Sequence, residues 1–426
     1  MILTKYKLGE ILDVTRGASL SGEYYATEGE YIRLTCGNFD YQNNCFKENK
    51  SKDNLYYVGD FKSEFLMEEG DIITPLTEQA IGLLGSTAII PESGKYIQSQ
   101  DVAKIICKKD LLDKDFAFYL ISSALVKQQL SAAAQQTKIR HTSPDKIKDC
   151  TVWIPELSEQ KRIGKLLRSI DRKIELNRAI NQNLEAMAKQ LYDYWFVQFD
   201  FPNEEGKPYK SSGGEMVWNE KLKRNMPKEW CAMTIGEVEN NIITGKTPSC
   251  ADEDNFGGDI PFITIDDIRG NLFVFNSQRT LSTKGAESQT KKYLPSGSLS
   301  VSCIGTIGVM GFIAKLSQTN QQINSIVFEN EHNREFVYFA LKLYFENAKA
   351  KTGNVFANMS KDEFASIKVV YSPKQILQEF HNKVVAIFDN IKNNIDEINA
   401  LTKQRDELLP LLMNGQAMVN SDLSDG

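Results

Sequence analysis

The chain has 426 residues, of which 41% are hydrophobic and 25% charged, a composition typical of a globular protein with two or three domains. Its net charge of −6 excludes a broad cationic surface, so cations that bind nucleic acid would have to be concentrated locally. No apolar run approaches the roughly 18 residues of a membrane span, and the N-terminus lacks the apolar core of a signal peptide. Seven cysteines without a CxxC pair disfavour a disulfide framework and a zinc site, so we expect a cytoplasmic protein with buried, reduced thiols and no membrane partner.

The first part of the chain, residues 1–155, predicts a mixed α and β domain. Short apolar runs bounded by glycine or proline predict strands at Asp71–Thr74, Thr87–Ile90 and Val102–Cys107, and helical spacing occurs near 115–133. A further strand is predicted at Thr151–Pro155, where this domain ends.

A long helix is predicted next, within residues 156–200, with Ser158 as its N-cap. Its seam residues alternate steps of four and three, which is the spacing of a coiled coil: Ile163, Leu167, Ile170, Ile174, Asn177, Asn181, Leu184, Ala188 and Leu191. The 39 or so residues from Ser158 to Phe196 would extend about 58 Å, too far to bury the seam in one small domain. Asn177 and Asn181 either form hydrogen bonds to a partner helix or face solvent.

The rest of the chain repeats this order after a predicted extended linker at 201–229, which is rich in Gly, Ser, Lys and Glu. The second domain, 230–372, has helical spacing near 335–350 and 361–367. Its predicted strands are Ile260–Ile265, Ser298–Cys303, Val309–Ala314, Ile323–Phe328 and Ile367–Tyr371.

A second seam lies in a predicted C-terminal helix, 373–415, which precedes a tail at 416–426. Ser372, Pro373 and Gln375 predict a capped start with a capping box, and Gly415 a stop. The seam residues are Val384, Phe388, Ile391, Ile395, Ile398, Thr402, Arg405, Leu409 and Leu412.

The two halves are an internal repeat, because short segments recur in the same order. The offset is 227 positions between Leu8 and Ile235 and 218 positions between Ile170 and Phe388. A period this long indicates duplicated domains. We therefore predict an α+β fold in which two similar mixed α/β domains are separated by two long antiparallel coiled-coil helices with pseudo-two-fold symmetry. Two unlike heads on a spacer suit a two-part target, such as two DNA half-sites, although a protein scaffold has the same shape.

Four segments resemble the specificity subunits of type I restriction-modification systems, the HsdS family. The run Gln190–Asp200 resembles the end of that family's central helix. Tyr209–Met216 and Met226–Trp230 resemble the entry into its second recognition domain, and Ile154–Gln160 resembles its proline, glutamate, glutamine helix start. The second helix departs from this pattern at Pro373–Ile376. The likeness covers essentially the whole chain.

The resemblance implies a non-catalytic, DNA-binding chain with two target-recognition domains, each reading one half of a bipartite site on double-stranded DNA. It also implies helices that fix the spacer and dock two methyltransferase subunits, with two motor-nuclease subunits joining for restriction. S-adenosylmethionine, ATP and Mg would then belong to those partners, and this chain would hold no cofactor.

Catalytic signatures are weak. Gly245-Lys246-Thr247 resembles the end of a phosphate-binding loop, but Asn240 stands where a glycine is required. The three histidines are scattered, which disfavours a metal site or a histidine-activated nucleophile. Pro144-Asp145 and Glu159-Gln160-Lys161 fit a loose nuclease pattern, but the second element opens a heptad helix instead of a strand.

Candidate DNA contacts are polar residues on loops that recur in both domains, since such side chains can read base edges. The first loop pair is 16–19 and 244–249, the second is 135–141 and 351–358, and a third surface includes positions 33–38 and 264–269. The residues are Arg16, Ser19, Arg33, Asn38, Thr137, Lys138, Arg140, His141, Lys246, Thr247, Ser249, Arg269, Lys351, Thr352, Asn354 and Asn358. For each loop the alternative is a solvated turn. Two other functions remain open: recognition for a fused nuclease-methyltransferase, and a two-headed protein scaffold.

Overall fold

The computed structural model describes residues 2–50, 53–78, 82–133, 140–352 and 358–419, with only the backbone described at 140, 351 and 352. The chain divides into two compact units. The first contains Met1–Ile174 and Ala400–Gly426, and the second contains Glu175–Asn399. Each unit therefore holds one globular domain and a part of each long helix.

In its described residues, the first unit has short strands and four α-helices ahead of the first long helix. The strands are β1 (Thr4–Lys7), β2 (Leu12–Arg16), β3 (Tyr25–Ala26), β4 (Tyr31–Arg33), β5 (Phe39–Asp40), β6 (Cys45–Phe46), β7 (Tyr56–Tyr57), β8 (Ile72–Pro75), β9 (Thr77–Glu78), β10 (Ala88–Ile89), β11 (Tyr96–Ile97), β12 (Val102–Cys107), β13 (Arg140–His141) and β14 (Thr151–Ile154). The helices are α1 (Leu8–Ile11), α2 (Lys114–Ile121), α3 (Ala124–Ala133), α4 (Pro144–Lys148) and α5 (Leu157–Tyr192), the last shared with the second unit.

The central sheet of the first unit is antiparallel, with the strand order β10-β8-β12-β2. A second sheet has the order β11-β4-β7-β3, and β1 pairs with β14 just before the long helix begins. The helix α2 packs on this framework because nearly all of its apolar residues are buried, including Phe116 and Tyr119. Ile163 and Leu167 of α5 and Leu412 of the C-terminal segment join the same core.

The second unit repeats the arrangement. Its strands are β15 (Met216–Asn219), β16 (Arg224–Pro227), β17 (Cys231–Thr234), β18 (Ile242–Thr244), β19 (Phe256–Ile263), β20 (Phe273–Val274), β21 (Arg279–Leu281), β22 (Leu299–Ser302), β23 (Met310–Ile313), β24 (Gln318–Thr319), β25 (Ile323–Ile326) and β26 (Lys368–Tyr371). Its helices are α6 (Ile235–Val238), α7 (Ile265–Ile268), α8 (Thr283–Glu287), α9 (Arg334–Thr352), α10 (Lys361–Ala365) and α11 (Lys374–Met413), the last shared with the first unit.

The sheet orders confirm the internal repeat. The central sheet of the second unit, β18-β25-β22-β23-β20, contains the order of β2-β12-β8-β10 with one added edge strand. In both units the next sheet contains one parallel pair, β4 with β11 and β19 with β24. The strand before each long helix also pairs with the first strand of its domain. The predicted mixed α and β domains are thus confirmed, and the predicted single helical region at 115–133 is two helices, broken at Ser122-Ser123.

The two long helices have 36 and 40 residues, so α5 extends about 54 Å and α11 about 60 Å. Within the first unit, Arg405 of α11 forms an ion pair with Asp171 of α5. Within the second unit, Asn177 donates to Glu397 at 2.8 Å and Asn181 accepts from Asn394 at 2.8 Å. Asn177 and Asn181 thus form hydrogen bonds across the antiparallel helix pair and do not face away from it.

The predicted helix starts are wrong in detail, whereas Gly415 follows the end of α11 with a φ of 70°, as expected for a helix stop. Leu157 begins α5, so Ser158 lies inside the first turn, where its hydroxyl donates to the Glu156 carboxylate at 2.6 Å. At the start of α11 the Ser372 hydroxyl donates to the Pro373 carbonyl oxygen at 3.4 Å. Both serine hydroxyls therefore form short-range hydrogen bonds in place of the expected bonds to backbone N–H groups of the first helical turn.

The segment between the helix α5 and the second domain is more structured than the predicted extended linker, because it contains the hairpin of β15 and β16. Trp195, Phe196 and Phe199 are buried in the core of the second unit, whereas Tyr194 is 37% exposed. Phe196 packs on Phe336 with ring centres 4.9 Å apart. These aromatic contacts anchor the end of α5 in the second domain.

The cysteines are all free, and their environments differ from the expected buried thiols. Cys150 and Cys303 are buried, three others are intermediate, and Cys231 and Cys250 are exposed. Among the described residues, no helix combines the length and apolar character of a bilayer span.

Candidate nucleic-acid interface

In the first domain, the loop that follows β2 packs directly on a polar turn at residues 98–101. Ala18 donates its amide to the Gln98 carbonyl oxygen at 2.9 Å. A Cβ atom on Gly17 would lie 2.3 Å from the same oxygen, so only glycine permits this approach. The Gln98 side chain stabilises this turn, because its amide donates to the Thr15 and Val102 carbonyl oxygens. The loop 16–19 is therefore positioned by the turn and is not a free solvated turn.

Arg16 and Ser19 are exposed on this loop. The Arg16 Nε atom donates to the Gln100 carbonyl oxygen at 2.9 Å, which orients the guanidinium, and its terminal nitrogens have no hydrogen-bond partner among the described residues. An oriented arginine with available N–H groups suits either a guanine edge or a phosphate.

The second predicted loop of this domain reaches the same turn through the strand β9. His141 lies opposite Thr77 in the β9-β13 pair, and its Nδ1 atom is 3.3 Å from the Thr77 hydroxyl. That hydroxyl also lies 3.4 Å from the Asp101 carboxylate, which belongs to the turn. Arg16 and His141, which are far apart in sequence, are thus connected through one polar turn.

A partly buried thiol forms a hydrogen bond with the backbone of β9. The Cys36 Sγ atom donates to the Thr77 carbonyl oxygen at 3.3 Å. Burial, and then the nearby Asp101 carboxylate, raise the pKa of this thiol to about 11, so it remains a protonated donor at neutral pH.

The second domain has the matching arrangement around a turn at residues 319–322. Lys246 donates its amide to the Thr319 carbonyl oxygen at 2.9 Å, and Gly245 donates to Ile323. A Cβ atom on Gly245 would lie 2.1 Å from the Asn320 carbonyl oxygen. These amides bond to the chain itself, which removes them from any phosphate-binding loop at 245–247.

Lys246 and Ser249 are exposed on this second-domain loop, and Thr247 is intermediate. The Thr247 hydroxyl donates to the Gln321 side chain at 2.6 Å, and the Lys292 ammonium donates to the Thr244 carbonyl oxygen at 2.8 Å. The loop therefore combines one exposed cation with hydroxyls on a backbone fixed at both ends.

Asn358 joins this region through the backbone. It is exposed and pairs with Ile304, while the Cys303 amide next to it donates to the Gln322 carbonyl oxygen at 2.7 Å. Lys351 and Thr352 end the helix α9, but only their backbone is described. In both domains, the described end of the second predicted loop, His141 or Asn358, is thus connected to the turn that holds the first loop.

Two predicted residues, Arg33 and Asn38, are placed differently from the expectation. Arg33 is only 7% exposed, with its guanidinium 3.8 Å over the Tyr25 ring, and Asn38 is 2% exposed and bonded to Thr35 and Lys47. Burial corrects the expectation that these two side chains project into a groove, because their polar atoms hold the domain together. Arg269 is exposed after α7 and lies 3.7 Å from the Asp266 carboxylate.

Thr137, Lys138 and Asn354 lie outside the described residues. Arg140 is described only by its backbone, which pairs with Glu78. The turns 98–101 and 319–322 were missed from the sequence, although Gln98-Ser99-Gln100 and Gln318-Thr319-Asn320 recur at an offset of 220 positions. This recurrence of small and amide side chains is the sequence pattern that could have predicted the two turns.

Comparison with known proteins identifies the family. A model described as the type I restriction modification DNA specificity domain matches residues 3–186 and 227–406. The chain belongs to this family of type I specificity proteins. As a type I specificity subunit with two target-recognition domains, it has the role of recognising a DNA sequence within a restriction-modification complex.

Relatives match this specificity subunit over most of its length. The HindI specificity subunit of Haemophilus influenzae is 30% identical over 374 residues, covering 75% of this chain and 81% of the relative. The MjaIX specificity subunit of Methanocaldococcus jannaschii is 22% identical and covers 74% and 71%. The crystal structure of a type I S subunit from M. genitalium has a TM-score of 0.59 at 16% identity and covers 97% of this chain and 96% of that one, which shows a shared fold.

The glycine in the first loop of this specificity subunit gives a test of the turn. The substitution Gly17→Ala should force the loop away from the turn 98–101 and destabilise the domain by about 1–3 kcal/mol, because the added methyl overlaps backbone oxygens. Hydrogen exchange of peptides covering 98–101 should accelerate. Gly22→Ala is the matched control, since its Cβ would meet only the Tyr25 ring at 3.8 Å, and equal exchange in the two variants would contradict the proposed packing.

Proposed function

We propose that each domain reads one half of a bipartite site on double-stranded DNA through the loops gathered at its turn, and that α5 and α11 set the distance between the half-sites. The observation that carries this proposal is the same loop-and-turn arrangement in both domains with different side chains on it. The first domain presents Arg16, Ser19 and His141, and the second presents Lys246 and Asn358. The two domains share the loop-and-turn backbone but expose different side chains, so we expect them to read two different half-sites.

The proposal includes the partners. Two methyltransferase subunits bind the chain, and two motor-nuclease subunits complete the restriction complex in the cytoplasm. S-adenosylmethionine, ATP and Mg belong to those subunits, and this chain carries no catalytic centre. The net charge of −6 supports this division, because a chain with few clustered cations gains DNA affinity from partners that add phosphate contacts.

Methylome sequencing of the source cell with and without this gene tests the proposal directly. Loss of adenine methylation at one bipartite motif is the expected result. Continued methylation at every such motif would contradict it. A single contiguous motif would favour a recognition role without two half-sites, and purification with one fused nuclease-methyltransferase chain would favour that related system.

Substitutions in the two loops should separate the half-sites. Arg16→Ala is expected to weaken binding of the assembled complex by about 1–3 kcal/mol and to relax selectivity in one half-site only, and Lys246→Ala should affect the other half-site. Selection of bound DNA from a random library measures both effects. Lys62→Ala is the control, because that side chain is 78% exposed on the first domain outside the loops. Relaxation of both half-sites by one substitution would argue against two separate reading heads.

A further inference from the structure

Each unit has a surface pocket at the start of its long helix. The first, of about 600 Å³, is lined by Thr4 and Tyr6 of β1, by residues 154–157, 159 and 160, and by Met418. The second, of about 480 Å³, is lined by residues before β17 and by Pro373, Ile376 and Glu379 at the start of α11. Both pockets lie where the last strand of a domain passes through a proline into the long helix, so they occupy equivalent places in the repeat.

The lining of both pockets is acidic. The first pocket contains Asp110, Glu156 and Glu159, and the second contains four glutamates: Glu204, Glu205, Glu229 and Glu379. No lysine, arginine or histidine is among the described lining residues of either pocket. Neighbouring cations neutralise part of the charge, since Arg162 pairs with Glu159 and Lys207 pairs with Glu205.

Glu159 gives the first pocket a carboxylate oxygen that lacks a hydrogen-bond donor. The residue is 6% exposed, and one carboxylate oxygen accepts from Arg162. The other oxygen, Oε2, is buried and has no hydrogen-bond partner. A buried carboxylate oxygen without a donor is unfavourable, so the pocket is suited to an incoming N–H group.

Both pockets also have an apolar wall. In the first, Leu111, Pro155 and Met418 line one side. In the second, the Phe201 ring stacks on Trp230 at 4.9 Å and on Tyr209 at 4.7 Å. A lysine or arginine side chain matches such a pocket, because its methylene stem packs on apolar surface while its head meets carboxylates.

We propose that each pocket receives a basic side chain from one of the two methyltransferase subunits, so that two copies of one partner bind at equivalent points of the repeat. The inference rests on the proposed function for the identity of the partner. The acidic lining repels DNA phosphates, and no group of histidine, cysteine and acidic residues able to hold a metal ion occurs among the described residues. A paired occupant explains why the pocket is repeated although its individual lining residues differ.

The test uses the full chain and the purified methyltransferase subunit encoded with it, with stoichiometry measured by native mass spectrometry and affinity by calorimetry. Asp110→Asn with Glu156→Gln neutralises exposed carboxylates of the first pocket, and Glu229→Gln with Glu379→Gln does so in the second. Each variant should weaken one of two binding sites by about tenfold or more and leave the other unchanged. Adding Glu159→Gln should weaken the first site further.

A matched control removes the same charge elsewhere in the first domain, at the exposed residues Glu23 and Glu64, and should retain two sites of wild-type affinity. Equal weakening in this control would overturn the inference, because net charge would then explain the effect. Two sites within twofold of wild-type affinity in both pocket variants would also overturn it while leaving the proposed function standing. A wild-type chain that binds no methyltransferase would instead overturn the proposed function and this inference together.

Discussion

Replacing Asp171 with alanine is expected to destabilise the first unit by about 3–5 kcal/mol, because it leaves the guanidinium of Arg405 buried without its main partner. Asp171 and Arg405 are each 8% exposed, and Arg405 Nη1 lies 2.8 Å from the Asp171 carboxylate. The Tyr119 hydroxyl of α2 donates to the same carboxylate at 2.5 Å. One side chain therefore connects the first domain to both long helices.

The Tyr119 hydroxyl remains a donor throughout the physiological pH range. Burial, and then the charge of Asp171, raise the pKa of Tyr119 well above its ordinary value. The substitution should consequently release two donors at once. Urea unfolding gives the free-energy change, and hydrogen exchange should accelerate in peptides from 157–174 and 400–413, where the two helices lie in the first unit.

Asp406→Ala is the matched control for this prediction. Asp406 also bonds the Arg405 guanidinium at 2.8 Å, but its side chain is 59% exposed, so its removal should change stability by about 0–1 kcal/mol. Because Asp406 still pairs with Arg405 in the Asp171→Ala variant, we expect a loss near the lower end of the range of about 3–5 kcal/mol. Comparable losses from the two substitutions would show that burial at Asp171 does not govern the stability of this junction.

Inserting seven residues into each long helix is expected to lengthen the preferred spacer while leaving both half-sites unchanged. One heptad preserves the seam and adds about 10 Å to a helix, which is about three base pairs of DNA. The insertions belong after Ile174 and after Asn399, between the Asp171–Arg405 contact and the Asn177–Glu397 contact. Methylome sequencing or selection of bound DNA measures the spacer.

A control insertion of seven residues belongs in the exposed turn between β15 and β16, at 220–223, where it lengthens the chain without changing either helix. The control should keep the original spacer. An unchanged spacer in the double insertion, with both half-sites still recognised, would show that the helices do not set the distance.

Much of the fold follows from patterns along the sequence. The seam periodicity predicted both long helices, and the predicted strand Val102–Cys107 coincides with β12. The recurrence of short segments predicted two similar domains, which the matching sheet orders confirm. Such patterns are local, because a helix face or a strand repeats within a few residues.

The candidate site was predictable only in part. The glycine-bearing loops at 16–19 and 244–249 stood out by their polar residues and their repetition. The turns that hold them are 70 or more residues away along the chain, so their contact depends on how the strands pair. Arg33 illustrates the limit: its recurring place in the repeat predicted a DNA-reading surface, yet a Tyr25 ring 3.8 Å away covers its guanidinium.

By itself, the sequence determined the duplicated domains, the two heptad helices, the mixed α and β composition and the family resemblance, since each is carried by residue type and spacing. Only the tertiary structure decided which polar side chains are exposed at the two turns, which are buried, and how Tyr119, Asp171 and Arg405 meet. The physical reason is that burial and hydrogen bonding between distant residues are properties of packing, and side chains of the same type are equally compatible with a buried or an exposed position until the chain folds.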